Sequence, residues 1–260
     1  MIRATDQLGH EVFLAAGKAH RIVSLVPSQT ELLHALGLEN EVVGITKFCI
    51  HPGDWFNNKT RVGGTKDFKI DIIRSLAPDL ILANKEENTS DLIHTLQKEF
   101  PVWTSDIHNL DDALKMIESV GVLTGKEITA ANIVTGCRRN FESLKRASGN
   151  QRVLYMIWRN PWMCAGTDTF IHDMLRRSGF QNASDLPRYP EMSLSQIAEL
   201  APDCIFLSSE PYPFKAKHIE ELASMLPKSR IVLVDGEYFS WYGSRLIDAP
   251  AYFATLTGSE

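Results

Sequence analysis

An eleven-residue pattern occurs twice in the chain, 124 residues apart: IIRSLAPDLIL from Ile72 and QIAELAPDCIF from Gln196. The copies share Ile73/Ile197, Leu76/Leu200, Ala77/Ala201, Pro78/Pro202, Asp79/Asp203 and Ile81/Ile205. Each reads as the end of a helix, a Pro-Asp turn that a helix cannot pass through, and an apolar strand. The flanking elements match in order too. Ile22–Val26, Val42–Thr46, LILA and PVW alternate with helical segments in the first half, as RVLYMIW, CIFL and IVLV do in the second. Strands alternating with helices favour parallel sheets. Two copies at so long a spacing are too few for a solenoid. The pattern therefore predicts an α/β chain of two lobes, each with a central, mostly parallel sheet flanked by helices.

Between the copies, TGKEITAANIVTGCRRNFESLKRA, from Thr124 to Ala147, predicts one long rigid helix joining the lobes. Thr124 and Glu127 have capping-box spacing. Ile128, Ala131, Ile133, Val134, Cys137, Phe141 and Leu144 form an apolar stripe, and Arg138, Arg139, Lys145 and Arg146 suit the negative end of a helix dipole. At about 1.5 Å per residue, such a rod reaches about 33 Å. The expected boundaries are an N-terminal lobe over 1–109, a linker with the helix over 110–148, and a C-terminal lobe over 149–260.

With 260 residues, 44% of them hydrophobic, the chain can bury a sizeable core. A net charge of −5 with mixed signs gives neither a basic stripe for nucleic acid nor a polybasic face for membranes. No run of eighteen apolar residues and no secretion-signal pattern is visible, so direct membrane insertion is not expected. The chain as written reads as cytoplasmic, or as periplasmic if a leader has been removed. Cys49, Cys137, Cys164 and Cys204 are far apart and read as reduced structural thiols.

Local signals fill in the rest. IRATDQLGHEVFL predicts a hairpin turning at Gly9 and His10 and covering a sheet edge. Ser28 with Glu31, Thr167, and Ser193 with Gln196 are read as helix caps, and FCIHPGDWFNNKTRVGGTKDF as a long functional loop.

Ligands of open parallel sheets collect outside the carboxyl ends of the strands. In the first lobe that edge collects Ser28, Gln29, Phe48, His51, Thr65, Lys66 and Asn84. In the second it collects Trp158, Trp162, Arg188, Tyr189, Glu210, Tyr212, Phe239, Trp241 and Arg245. Flat rings give contact area at low rotamer cost, and the few Arg, Lys and amide groups fix orientation, which suits a bulky, partly polar ligand held between the lobes. Catalytic patterns are weak. There is no GxSxG, Gly63-Gly64 lacks the spacing of a phosphate-binding loop, Cys49 and His51 lack further metal ligands, and the pairs Glu86-Glu87 and Glu220-Glu221 read as solvated faces. No catalytic residue, metal site or cofactor is expected.

RIVSLVPSQTELLHALGL, LAPDLIL, LAPDCIF, WRNPW before CAGTDTFIHDML, and DGEYFSWYGSR together resemble the vitamin-B12-binding proteins of cobalamin importers. They also resemble the wider class of periplasmic ABC-importer binding proteins for iron-siderophores and haem. The resemblance implies two lobes on one rigid helix, no enzymatic activity, and a corrinoid or related metal chelate in the cleft, whose cobalt or iron belongs to the ligand. It implies a partner as well, the membrane subunit of an ABC transporter. The family's docking glutamates fall near Asp71 and Ser195 here, so one acidic contact remains. Two tryptophans of the cobalamin binders are replaced by the GGTK turn and Asn84, while Trp158, Trp162 and Trp241 remain. The competing expectations are an intracellular enzyme or chaperone of metal-chelate metabolism, with Cys49, His51 and Glu210 as its reactive groups, and a sensing module that reports ligand to a partner.

Overall fold

The repeated pattern folds twice into the same local structure, in a computed structural model that describes residues 1–144 and 151–257. Helix Ile70–Leu76 ends on Ala77 at φ 43°, ψ 59°, and helix Leu194–Leu200 ends on Ala201 at φ 43°, ψ 58°. A left-handed residue at this point turns the chain out of the helix and towards the strand. The carboxylate of Asp79 accepts N–H bonds from His20 and Arg21, while the Arg21 guanidinium donates to Leu76 O at 2.6 Å. Asp203 accepts from the N–H of Arg152 at 2.8 Å, and the Arg152 guanidinium donates to Leu200 O at 2.6 Å. In both copies an aspartate thus caps the start of the neighbouring strand, and an arginine caps the helix that precedes the aspartate. The shared letters serve folding rather than binding.

The chain divides into two compact units. The first comprises Met1–Ile107, Asp111–Cys137 and Tyr242–Arg245. Its elements are β1 (Ile2–Thr5), β2 (Glu11–Leu14), β3 (Ile22–Ser24), α1 (Pro27–Ala35), β4 (Val42–Ile45), α2 (Gly53–Asn58), β5 (Thr60–Arg61), α3 (Ile70–Leu76), β6 (Leu80–Asn84), α4 (Ser90–Gln97) and β7 (Val102–Ser105). The parallel sheet runs in the order β5-β4-β3-β6-β7. β3, β6 and β7 are buried along their whole length, so their apolar residues run together rather than alternating, and each strand ends in a buried polar residue. Val23, Leu25, Ile81 and Ala83 pack there against Ile73, Ile93 and Leu96. The β1–β2 hairpin meets the β7 edge, with Thr104 N–H bonded to Asp6 and Gln7 N–H to Thr104 O. The edge is covered as its sequence predicts.

Helices α5 (Leu110–Thr124) and α6 (Glu127–Glu142) follow, and the chain passes from the first unit to the second within α6. The second unit comprises His108–Leu110, Arg138–Trp241 and Leu246–Glu260. It contains β8 (Arg152–Trp158), β9 (Trp162–Cys164), α7 (Phe170–Arg177), β10 (Gln181–Asn182), β11 (Glu191–Met192), α8 (Leu194–Leu200), β12 (Cys204–Ser208), α9 (Ala216–Met225), β13 (Arg230–Val234), α10 (Glu237–Ser240) and α11 (Ala249–Leu256). Its sheet runs β11-β9-β8-β12-β13, with β10 also on β8; β8, β10, β12 and β13 are parallel, and β9 and β11 add antiparallel strands. Leu154, Met156, Ile205 and Leu207 fill its core with Ile197 and Leu222. Both units are α/β, with helices flanking mostly parallel sheets.

Five local expectations are corrected. The helix after Thr124 is shorter than predicted: it starts at Glu127 and ends at Glu142, while Lys145–Ala147 lie outside the described residues. Thr124 is not its cap. Thr124 closes α5, its hydroxyl donating to Val120 O, and Gly125 at φ 68° then turns the chain, with Lys126 N–H bonded to Gly121 O. That is a Schellman ending, for which glycine is suited by its free access to positive φ. Ser28 does not cap α1, because the helix begins one residue earlier at Pro27, after Val26 and without a side-chain cap, and Glu31 pairs with Arg245. Thr169 rather than Thr167 caps α7, and the predicted long loop contains α2 and β5. The Ser193/Gln196 capping box is formed.

Candidate ligand-binding surface

In the first sheet the chain leaves β3 for β4 on one side and later returns to place β6 on the other. The crossing point between the carboxyl ends of β3 and β6 is where an open parallel sheet splays its loops and admits a ligand. Several predicted residues meet there and bond to one another or to the neighbouring strand ends. Gln29 Nε2 donates to Ser105 Oγ at 2.6 Å, and Asn84 Nδ2 donates to the same oxygen at 3.0 Å. Asn88 accepts the Asn84 N–H at 2.8 Å and donates to Thr65 O at 2.8 Å. Ser28, Gln29, Thr65 and Asn84 are all buried, and the amide NH₂ groups of Gln29 and Asn84 find partners, while Gln29 Oε1 has none among the described residues. Their polarity reflects a buried network holding the strand ends in place. Phe48 stands out from this network, 51% exposed, with the Lys47 ammonium 5.1 Å from its ring centre. Lys66 is exposed, and His51 is half-buried before the cis bond to Pro52. Arg245 belongs to this unit and not the second; its guanidinium grips Glu31 of α1 at 2.8 and 3.1 Å.

The second sheet has the same kind of crossing point, between β8 and β12. Trp158, at the end of β8, is 39% exposed and meets the half-buried Tyr212 edge-on at 5.6 Å. Tyr212 contacts Phe214 at 4.8 Å, and Phe214 stacks on the buried Trp162 at 6.1 Å. The ladder is clamped at its inner end by Arg159, which lies over Trp162 and makes two bonds to Glu221 at 2.6 and 3.0 Å. Glu221 is therefore an ion-pair partner and not a solvated face. Tyr212 is held as well: its hydroxyl lies 3.3 Å from His218 Nε2, and His218 Nδ1 accepts the Lys215 N–H at 2.9 Å. That acceptor role leaves the ring proton on Nε2, facing the tyrosine. Glu210 accepts from Ser240 Oγ at 2.5 Å and Trp241 Nε1 at 2.9 Å, which holds Trp241 inward. Arg188, at φ 61°, donates to Asp168 O at 2.7 Å and lies over Tyr189. Phe239 is fully buried. The second unit thus brings Trp158, Tyr212 and Glu210 together at its crossing point.

The groups an enzyme reading would need are committed elsewhere. Cys49 Sγ lies 3.1 Å from both Thr30 Oγ1 and Thr46 Oγ1, and burial pushes its thiol up. No group of three potential metal ligands occurs among the described residues. Glu87, expected on a solvated face, is placed otherwise. Glu87 is half-buried, and burial first, then Glu86, raises its carboxyl against the lowering effect of Lys66. The usable signal was its place just beyond β6.

The second unit's histidines predict a pH dependence. Burial holds His218 and His172 below the ordinary histidine range, with Lys217 and Arg159 adding to the effect on His218 and Arg176 to that on His172. The unfolded chain therefore binds more protons than the folded one as pH falls below about 6.5, and stability drops with it. Urea unfolding followed by tryptophan fluorescence is expected to show a lower midpoint at pH 5.5 than at pH 7.5. His218→Gln is expected to weaken that dependence. A midpoint that is flat or rises on acidification contradicts the account.

A family model described as a periplasmic binding protein matches residues 22–225. An uncharacterized ABC transporter substrate-binding lipoprotein, YvrC of Bacillus subtilis (strain 168), is 29% identical over 245 residues, 88% of this chain and 76% of its own. A vitamin B12-binding protein of Vibrio vulnificus (strain YJ016) is 25% identical over 203 residues, 76% of this chain and 74% of its own. Among solved structures, a possible iron-binding (periplasmic solute-binding) protein from Staphylococcus epidermidis ATCC 12228 matches with a TM-score of 0.77 at 26% identity. That match covers 92% of this chain and 98% of the other.

Proposed function

We propose, because the chain belongs to the periplasmic binding protein family, that it captures a bulky, ring-shaped metal chelate of the corrinoid kind and delivers it to an ABC importer. Its role is substrate binding, not catalysis. The observation that carries the finer reading is the Trp158–Tyr212 pair: two partly exposed rings at a strand crossing point, braced from behind by Phe214, Trp162 and His218. Rings fixed in advance lose little entropy when a flat ligand covers them. Phe48, in the first unit, offers a further exposed ring. The cobalt or iron would arrive as part of the ligand.

The lipoprotein relative and the family description support residence outside the cytoplasmic membrane over the cytoplasmic residence expected from the sequence. Among the described residues, no helix is long and apolar enough to cross a membrane. For docking on the importer, the positions predicted at Asp71 and Ser195 lie in the first turns of α3 and α8, the helices of the repeated pattern. Asp71 is shared with Arg74 at 2.8 Å, and Ser195 bonds Ser193 at 2.8 Å, so the contact offered to a transporter carries less charge than a pair of glutamates would.

Calorimetric titration with cyanocobalamin, haem and a ferric siderophore tests the reading. At least one is expected to bind at micromolar affinity or better, and Trp158→Ala to weaken it about tenfold. Silence on all three overturns the proposal.

A further inference from the structure

The crossing point of the first sheet holds two charged side chains, Glu87 and Lys66, that make no side-chain hydrogen bond or ion pair among the described residues. Glu87 is fixed by its backbone, since the N–H groups of Glu86 and Glu87 both donate to Asn84 Oδ1 at 2.8 and 3.0 Å. Lys66 is fixed the same way from the other loop: Thr89 Oγ1 donates to Lys66 O at 3.0 Å, and Asn88 Nδ2 to the adjacent Thr65 O at 2.8 Å. Among the described residues, neither the carboxyl of Glu87 nor the ammonium of Lys66 makes a side-chain hydrogen bond or ion pair. Each lies within electrostatic reach of the other, and the Glu87 carboxyl also acts on the Cys49 thiol. Cys49 follows β4 and Glu87 follows β6, the strands on either side of β3.

A half-buried carboxyl without a hydrogen bond costs stability, and a rigid loop that keeps it in that position has a use for it. The flanking ammonium narrows the use. An anion-edged ligand, such as one bearing propionates or catecholates, would meet Lys66 favourably and Glu87 unfavourably. A cationic group would have the reverse problem. A neutral primary carboxamide satisfies both, because its NH₂ donates and its carbonyl accepts. We propose that Glu87 and Lys66 together recognise a peripheral primary carboxamide of the ligand, Glu87 accepting from its NH₂ and Lys66 donating to its carbonyl oxygen. The inference rests on the chelate-binding reading above and selects amide-edged corrinoids over haem and catecholate chelates. The match survives a change of protonation at Glu87, since a neutral carboxyl also accepts from the NH₂ through its carbonyl oxygen.

The test compares cobinamide, a corrinoid edged with primary carboxamides, with haem, which carries carboxylates, on the wild-type protein, Glu87→Leu and Lys66→Met. Calorimetry is expected to show wild-type protein preferring cobinamide and each variant losing about tenfold of that affinity, with haem binding unchanged or tighter in Glu87→Leu. Without ligand, Glu87→Leu is expected to melt about 2 °C higher, because a desolvated carboxyl has been removed; a residue kept for the fold would shift the other way. Unchanged cobinamide affinity in both variants, a wild-type preference for haem, or a lower melting point of Glu87→Leu overturns the carboxamide assignment and leaves chelate binding standing. Wild-type protein that binds neither probe overturns the assignment together with the corrinoid reading beneath it.

Discussion

Phe239→Ala is expected to destabilise the protein by about 4 kcal/mol, a loss on the scale measured for deleting a fully buried ring. The Phe239 ring is 0% exposed and touches Tyr155 of β8 at 5.0 Å, Phe206 of β12 at 6.0 Å, and Phe253 of α11 at 4.7 Å. It therefore ties the central strands of the second sheet to the last helix, and alanine would leave a void that these neighbours, themselves buried rings, cannot collapse to fill. The sequence DGEYFSWYGSR suggests a row of rings facing a ligand. The four-residue helix α10 instead turns Phe239 into the core while Glu237 and Tyr238 stay half-exposed. Denaturant unfolding separates the two roles. A midpoint that falls steeply confirms a core ring, whereas an unchanged midpoint with weakened chelate binding would return Phe239 to the ligand surface. Phe239→Leu, which keeps most of the volume, is expected to recover more than half of the loss.

That contrast shows what the sequence can carry. Strands β6 and β12 were legible because burial on both faces writes an apolar run, whereas β5, β9, β10 and β11 are too short to write one, and the Ser193/Gln196 box was legible because both halves of the motif are used. Thr124/Glu127 has the same spacing, yet Gly125 and the ending of α5 take precedence, a competition visible only once the preceding helix is known. At the strand ends, residue type does not say which way a side chain turns. Gln29 and Asn84 look like ligand-orienting amides, and the NH₂ of each donates to Ser105 Oγ, while Gln29 Oε1 has no partner among the described residues. Glu87 looks like part of a solvated run and is half-buried, because its desolvation comes from loops far away in sequence. Trp158 and Tyr212 kept their predicted place at the strand ends because β8 and β12 deliver them to one crossing point.

Gly166→Ala is expected to destabilise the protein by about 3 kcal/mol and, unlike Phe239→Ala, to disturb the candidate surface directly. A Cβ built at Gly166 would lie 1.9 Å from Leu186 O and 3.1 Å from Arg188 O, backbone atoms that no rotamer change can move aside. Those carbonyls are close because the segment is paired: Gly166 N–H bonds Arg188 O at 2.7 Å, Thr167 N–H bonds Leu186 O at 2.8 Å, and Arg188 N–H bonds Thr167 O at 2.7 Å. The pairing holds Arg188 at φ 61°, sets its guanidinium on Asp168 O, and carries Tyr189 beneath it. Pushing the two segments apart breaks bonds worth about 1 kcal/mol each and releases Arg188 and Tyr189 together. Gly166→Ala should therefore lower chelate affinity more than Arg188→Ala, which removes the guanidinium and leaves the backbone pairing in place. Unfolding midpoints and calorimetric affinities of both variants decide it. A Gly166→Ala protein within 0.5 kcal/mol of wild type, on the scale of an ordinary surface change, would mean that the loop relaxes freely, and Arg188 would then owe its position to its own contacts.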